Sequence, residues 1–164
     1  MKEVVPSSIT GRAGEPAASV LDHHVGAGDP YTLGVEEEYM LLDPVSFDLV
    51  QHIETVLDAV QGDELADRLN PELMQAVLEI ATPVCRTAGD VQRELTTLRG
   101  YVRDVAAAHR LRVGSAGTHP FSLFERQRIT ARDRYRALVD QLQYIARREL
   151  IFGMHVHVAV DDPE

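Results

Sequence analysis

The sequence predicts an α+β domain, and three observations carry that reading. Four short runs, 32–42, 76–82, 111–116 and 154–160, cluster or alternate apolar residues as strands do. Two longer stretches, 87–110 and 133–150, repeat apolar residues at three- and four-residue intervals, as amphipathic helices do. The chain has 164 residues, enough for one domain with a real core.

Residues 1–29 are rich in Gly, Ala, Ser and Pro without a sustained period, and are expected to be a disordered tail ahead of a domain at 30–164. The pair His23-His24 in that tail is read as incidental. The first strand runs from Tyr31 through Gly34-Val35-Glu36-Glu37-Glu38-Tyr39 to Leu42, and Asp43-Pro44 stops it. Alternate side chains of a strand share a face, so Glu36 and Glu38 point one way and Val35, Glu37 and Tyr39 the other. Two same-face carboxylates roughly 6.5–7 Å apart repel one another and lose hydration when half buried. Either one takes a proton, or a cation sits between them, or the strand is a solvated edge.

Beyond a turn at 45–48, residues 49–53 are expected to return as a short second strand. Residues 54–69 then form a helix or two short turns, broken near Gly62, and Asn70-Pro71-Glu72 opens the next element. The run 76–82 is expected to be a strand buried on both sides. It carries Glu79 amid apolar neighbours, a residue that needs a partner, either a salt bridge or a metal. Val91, Leu95, Leu98, Val102 and Val105 give the helix at 87–110 a packing stripe. A short strand at 111–116 enters the turn Gly117-Thr118-His119-Pro120-Phe121, which sets a hydroxyl and an imidazole at a rim. Residues 124–130 are irregular or one helical turn. The helix at 133–150 is expected to bury Tyr135, Leu138, Val139, Leu142, Ile145 and Leu150. The last strand alternates strictly, with His155 and His157 on one face and Met154, Val156 and Val158 on the other.

With 16 basic against 26 acidic residues the formal charge is −10, and no basic stripe marks a nucleic-acid or anionic-membrane surface. The one cysteine, Cys85, excludes an internal disulfide and suits a cytoplasmic setting. No signal peptide or membrane-spanning run is read. Phosphate-loop, dinucleotide-fingerprint and nucleophile-elbow motifs are missing. What stands out is acids on two strands and a His-x-His strand. Carboxylates with imidazole and no thiolate cluster suit Mg²⁺ or Mn²⁺.

Four segments occur in order: Thr32-Leu33-Gly34-Val35-Glu36-Glu37-Glu38, Leu78-Glu79-Ile80-Ala81-Thr82-Pro83-Val84-Cys85, Gly117-Thr118-His119-Pro120-Phe121, and Phe152-Gly153-Met154-His155-Val156-His157-Val158. Together they resemble the bacterial carboxylate–amine ligases of the glutamate–cysteine ligase type 2 family, over residues 31–160. The resemblance implies a glutamine-synthetase-like fold, a curved antiparallel sheet with helices on one face and the site in its concavity. It implies an ATP-dependent ligase joining the γ-carboxylate of glutamate to an amine such as cysteine through an acyl phosphate, with Mg²⁺ or Mn²⁺ as cofactor. Carried over by motif, Glu36, Glu38, Glu79 and His155 are metal ligands, as is Glu72, where relatives carry an aspartate. His157, Thr118 and His119 are candidates for substrate or phosphate contact. Only the N-terminal half of the family pattern is present, which reads as a truncation. The chain alone is therefore expected to be inactive, and to form a homodimer through an exposed edge strand. Two other classes stay open: a metal-dependent hydrolase built on the His-x-His pair, and a non-catalytic fragment that binds a partner or nucleotide.

Overall fold

The structure is a computed structural model and describes residue 29, residues 31–148 and residues 150–160. The expected tail, with His23 and His24, lies outside the described residues apart from Asp29. The described part is α+β, with a five-stranded, wholly antiparallel sheet.

Strand β1 (Leu33–Leu42) is the spine of the sheet. Along one side it pairs with β3 (Val77–Ala81), with Glu38 opposite Glu79. Its other side is shared. The first half pairs with β5 (Met154–Val158), with Glu36 opposite His155, and the last three residues pair with β4 (Arg112–Gly114). Between those partners the Glu38 amide donates to the Gly153 carbonyl at 3.0 Å. Strand β2 (Leu69–Pro71) lies outside β3. The exit of β1 is closed by Asp43, whose Oδ1 accepts from the amides of Val45 at 2.9 Å and Ser46 at 2.8 Å.

One face of the sheet packs against α1 (Ile53–Ala59) and α2 (Ala88–Ala108). Val35, Tyr39 and Leu41 of β1 and Leu78 and Ile80 of β3 meet Ile53, Val56, Leu95, Leu98, Val102 and Ala106 there. The start of α2 is fixed by a capping box: Thr87 Oγ1 accepts from the Asp90 amide at 3.1 Å, and Asp90 Oδ2 accepts from the Thr87 amide at 2.8 Å.

The other face is covered at one end only. Met40, Leu42, Met74 and Val77 pack there against Tyr135 and Val139 of α3 (Asp133–Leu142), with Ala146 of α4 (Tyr144–Arg147) and Leu150 completing the cluster. The α3–α4 pair thus corrects the expectation of helices on one face.

Three further expectations are corrected. Residues 49–53 are not a strand: only Leu49 bridges to Leu42, and Ile53 begins α1, because Ile53, Val56 and Val60 bury at helical spacing. Asn70 and Pro71 do not open the next element: with Leu69 they form the short strand β2, and Pro71 is accommodated because β2 lies outermost beside β3. The helix at 133–150 breaks at Gln143, whose φ of +49° lies in the left-handed region. Within α3, Tyr135 and Val139, four residues apart, set the inward face, and Leu138 and Leu142 lie beside it. Tyr135, Val139 and Leu150 are buried as expected, but Leu138, Leu142 and Ile145 are 37%, 40% and 64% exposed. Elsewhere Gly62 marks the end of the first helical stretch, at φ +87°.

Candidate metal centre

Strand parity builds the site. Residues 36 and 38 of β1 and 79 of β3 project from the face opposite α2, and the direct pairing of Glu38 with Glu79 sets their carboxylates side by side. Glu72, just past β2, joins them. One carboxylate oxygen from each of Glu38, Glu72 and Glu79 lies within 4.8 Å of the others. Two of the three are steered by backbone amides. Glu38 Oε2 accepts from the Gly153 amide at 2.7 Å, and Glu72 Oε2 from the Leu73 amide at 2.6 Å. None of the three forms an ion pair among the described residues.

The electrostatic consequence falls on Glu79. Burial, and then the charges of Glu36, Glu72 and Glu38, push its carboxyl up from 4.5 to about 7, with Arg134 offsetting only part of this. Three clustered oxygens, short of positive charge, form a hard donor set. That set fits Mg²⁺ or Mn²⁺ and not a thiophilic metal.

Glu36 sits one pleat along the same face. Its Oε2 lies 3.4 Å from His155 Nδ1 and 3.2 Å from His157 Nε2, so both histidines of β5 converge on that carboxylate. His155 also lines, with Glu38 and Glu72, a cavity of about 280 Å³ walled by Leu73, Met74, Val77, Leu138 and Phe152. All five residues expected as metal ligands, Glu36, Glu38, Glu72, Glu79 and His155, therefore occupy one face. With His157 added, they form a three-carboxylate cluster beside a Glu–His–His cluster.

The turn residues do something else. Thr118 Oγ1 donates to the Leu150 carbonyl at 3.2 Å. His119 is buried, with Nε2 2.9 Å from the Phe47 carbonyl and Nδ1 accepting from the Ser122 amide at 2.9 Å. Both ring nitrogens are engaged by backbone, so His119 ties the 117–122 turn to the 43–48 turn and offers no open nitrogen to a ligand.

Two contributors escaped the sequence reading. The Gly153 amide that orients Glu38 leaves no trace in side-chain patterns. The other is a clamp behind the site: buried Glu37 accepts from Arg99 Nε at 2.9 Å, from Arg99 Nη2 and from the Tyr39 hydroxyl. Burial alone would raise the Glu37 carboxyl, yet the Arg99 and Tyr39 hydrogen bonds prevail and hold it below the ordinary range. Burial and the facing Glu37 raise the Tyr39 hydroxyl to about 12. The available signal was Arg99 itself, a cation beside Leu98 on the inward edge of the α2 stripe.

Comparison with known proteins agrees with these motifs. The family model described as glutamate-cysteine ligase family 2 (GCS2) matches residues 32–164. A relative from Rubrobacter xylanophilus, named "Putative glutamate--cysteine ligase 2-1", is 49% identical over 134 residues, which cover 82% of this chain and 35% of the relative. Proteins named "Putative glutamate--cysteine ligase 2" from Herpetosiphon aurantiacus and Sorangium cellulosum are 42% and 43% identical over 135 residues. The match covers 82% of this chain in both cases, and 35% and 36% of those proteins. The match thus spans about a third of the length of the curated relatives. On the extent and continuity of these matches, the chain belongs to glutamate-cysteine ligase family 2.

Proposed function

We propose that this chain contributes the metal-holding sheet face of an ATP-dependent carboxylate–amine ligase with a glutamine-synthetase-like architecture. The reaction joins the γ-carboxylate of glutamate to an amine such as cysteine. A γ-carboxylate oxygen bonds to the γ-phosphorus of ATP as the bond to the bridging oxygen breaks, releasing ADP and leaving an acyl phosphate. The amine nitrogen then bonds to the acyl carbon, phosphate departs, and the amine proton passes to solvent. The carrying observation is the convergence of Glu38, Glu72 and Glu79, none of which forms an ion pair among the described residues.

Glu38, Glu72 and Glu79, with Glu36 and His155 beside them, would hold Mg²⁺ or Mn²⁺. When bound, such an ion offsets the charge that develops on phosphate oxygens. The Gly153 amide fixes the direction of Glu38. His157 shares Glu36 with His155, and would meet a phosphate at the exposed edge of the cluster. The Glu37–Arg99–Tyr39 clamp anchors β1 from behind, so that Glu36 and Glu38 stay on the site face. The family name and the free, buried Cys85 support a ligase working in the cytoplasm.

The test is ADP release by the protein expressed from its complete reading frame, with Mg²⁺, glutamate and a panel of amines. ADP formation that requires both glutamate and an amine, and that falls on the order of 10²-fold in Glu79→Gln, is the expected result. ADP formation indifferent to glutamate and to every amine would overturn the proposal.

A further inference from the structure

A second concavity, on the α2 side of the sheet, is chemically the opposite of the carboxylate site. It measures about 1050 Å³ and lies between the C-terminal half of α2, strand β4 and the turn after β1. Its apolar floor includes Leu42, Val102, Leu111 and Val113, and every charged side chain that lines it is an arginine: Arg99, Arg103, Arg110 and Arg112. No acid lines it, although the whole chain carries a net charge of −10.

The four guanidinium groups are not equally committed. Arg99 is held by Glu37, and Arg103 pairs with its neighbour Asp104 at 2.8 Å. Arg110 and Arg112 form no ion pair among the described residues. The Arg112 guanidinium instead stands 5.7 Å from the centroid of the half-exposed Phe47 ring, at the rim. Uncommitted positive charge at the rim of an apolar floor complements a ligand with the same division reversed in sign. A ligand cleft of this kind is concave, mostly apolar and edged by a few polar groups that fix orientation. Arginine favours phosphate and carboxylate because its donors form a flat fork.

We propose that this cleft is a second ligand site, separate from the carboxylate face, for a small organic anion with an apolar body. The body covers the floor of the cleft, and the anionic head meets Arg110 and Arg112, with Arg103 in reach of a longer head group. Two sources share that chemistry, a nucleoside monophosphate and a medium-chain carboxylate.

The probe is anilinonaphthalene sulfonate, an aromatic anion, titrated by fluorescence into the protein from its complete reading frame, in EDTA. Saturable one-to-one binding is expected, weakened about tenfold or more in Arg110→Glu and further in Arg103→Glu/Arg110→Glu, since each reversal replaces attraction by repulsion at short range. Both substitutions are at exposed side chains, and the unchanged melting temperature of each variant is checked alongside. AMP displacing the probe identifies the nucleotide source; decanoate displacing it identifies the acyl source. Inorganic phosphate, which has no apolar body, displaces it weakly or not at all. Probe binding unaltered by both variants, or displaced by neither organic anion, overturns the proposal.

Discussion

Replacing Glu79 by glutamine is expected to stabilise the metal-free protein and to flatten its stability profile between pH 4.5 and about 7. The reason is crowding. Glu79 is partly buried and faces Glu38, Glu72 and Glu36, which raise its carboxyl from 4.5 to about 7. An acid with a raised native pKa keeps its proton longer when folded. Between the two values the native state binds more protons than the unfolded chain, so stability falls as pH rises. The contribution is intact below 4.5 and fully lost above about 7. At about 1.4 kcal/mol per pH unit the interval corresponds to about 3 kcal/mol, which screening on a half-open sheet face reduces to about 2 kcal/mol. Glu37, Asp43, Asp90 and Asp104 are all held below their ordinary values, so their contributions are lost as pH falls, opposite in sign to that of Glu79. Urea denaturation in EDTA, from the ordinary carboxylate range to above neutrality, measures the effect. Wild type should lose about 2 kcal/mol more than Glu79→Gln across the window. Parallel profiles for the two proteins would refute the crowding, and with it the electrostatic case for a cation.

Mg²⁺ should raise the melting temperature, because a ligand at a hundredfold excess over its Kd stabilises by about 2.7 kcal/mol; Glu38→Gln should remove most of that gain, and calorimetry with and without EDTA measures both. Arg99→Met should cost about 2–3 kcal/mol by leaving Glu37 buried without its cation, and Glu37→Gln in the same chain should restore part of it; urea titrations of the single and double variants decide. Thr87→Ala should cost about 1 kcal/mol through loss of the α2 cap, read as a lower thermal midpoint with metal response unchanged.

The site was more legible in the sequence than the shell around it, for a physical reason. Acids on alternate positions of a strand, and Glu79 alone in an apolar run, break patterns that desolvation otherwise enforces, so they stand out against their neighbours. The break at Gln143 has no such mark. No glycine or proline signals it, and Leu138, Leu142 and Ile145 continue a helical period that the chain direction then abandons. Thr118 and His119 form a rim motif in sequence, but only the fold shows that backbone groups occupy them. Strand β2 was illegible because three residues ending in Pro71 make a strand only when a longer neighbour, β3, supplies the ladder.

Three consecutive acids in one strand divide by parity into two environments. Glu37 faces the helix layer and keeps its charge by binding Arg99 and Tyr39, while Glu36 and Glu38 face the site and bind no Lys or Arg among the described residues. A one-residue slip of β1 would exchange the faces, setting one of Glu36 and Glu38 in the place of Glu37 beside Arg99 and the other in the place of Val35 or Tyr39, in the apolar layer with no cation. Such a slip is therefore opposed twice, by the burial of a second, unpaired charge and by the loss of one carboxylate from the site face. Arg99 accordingly acts on the site without touching it. One guanidinium satisfies one inward acid, which suits the register that sets Glu38 opposite Glu79 and Glu36 opposite His155, the two pairings on which both clusters of the site depend.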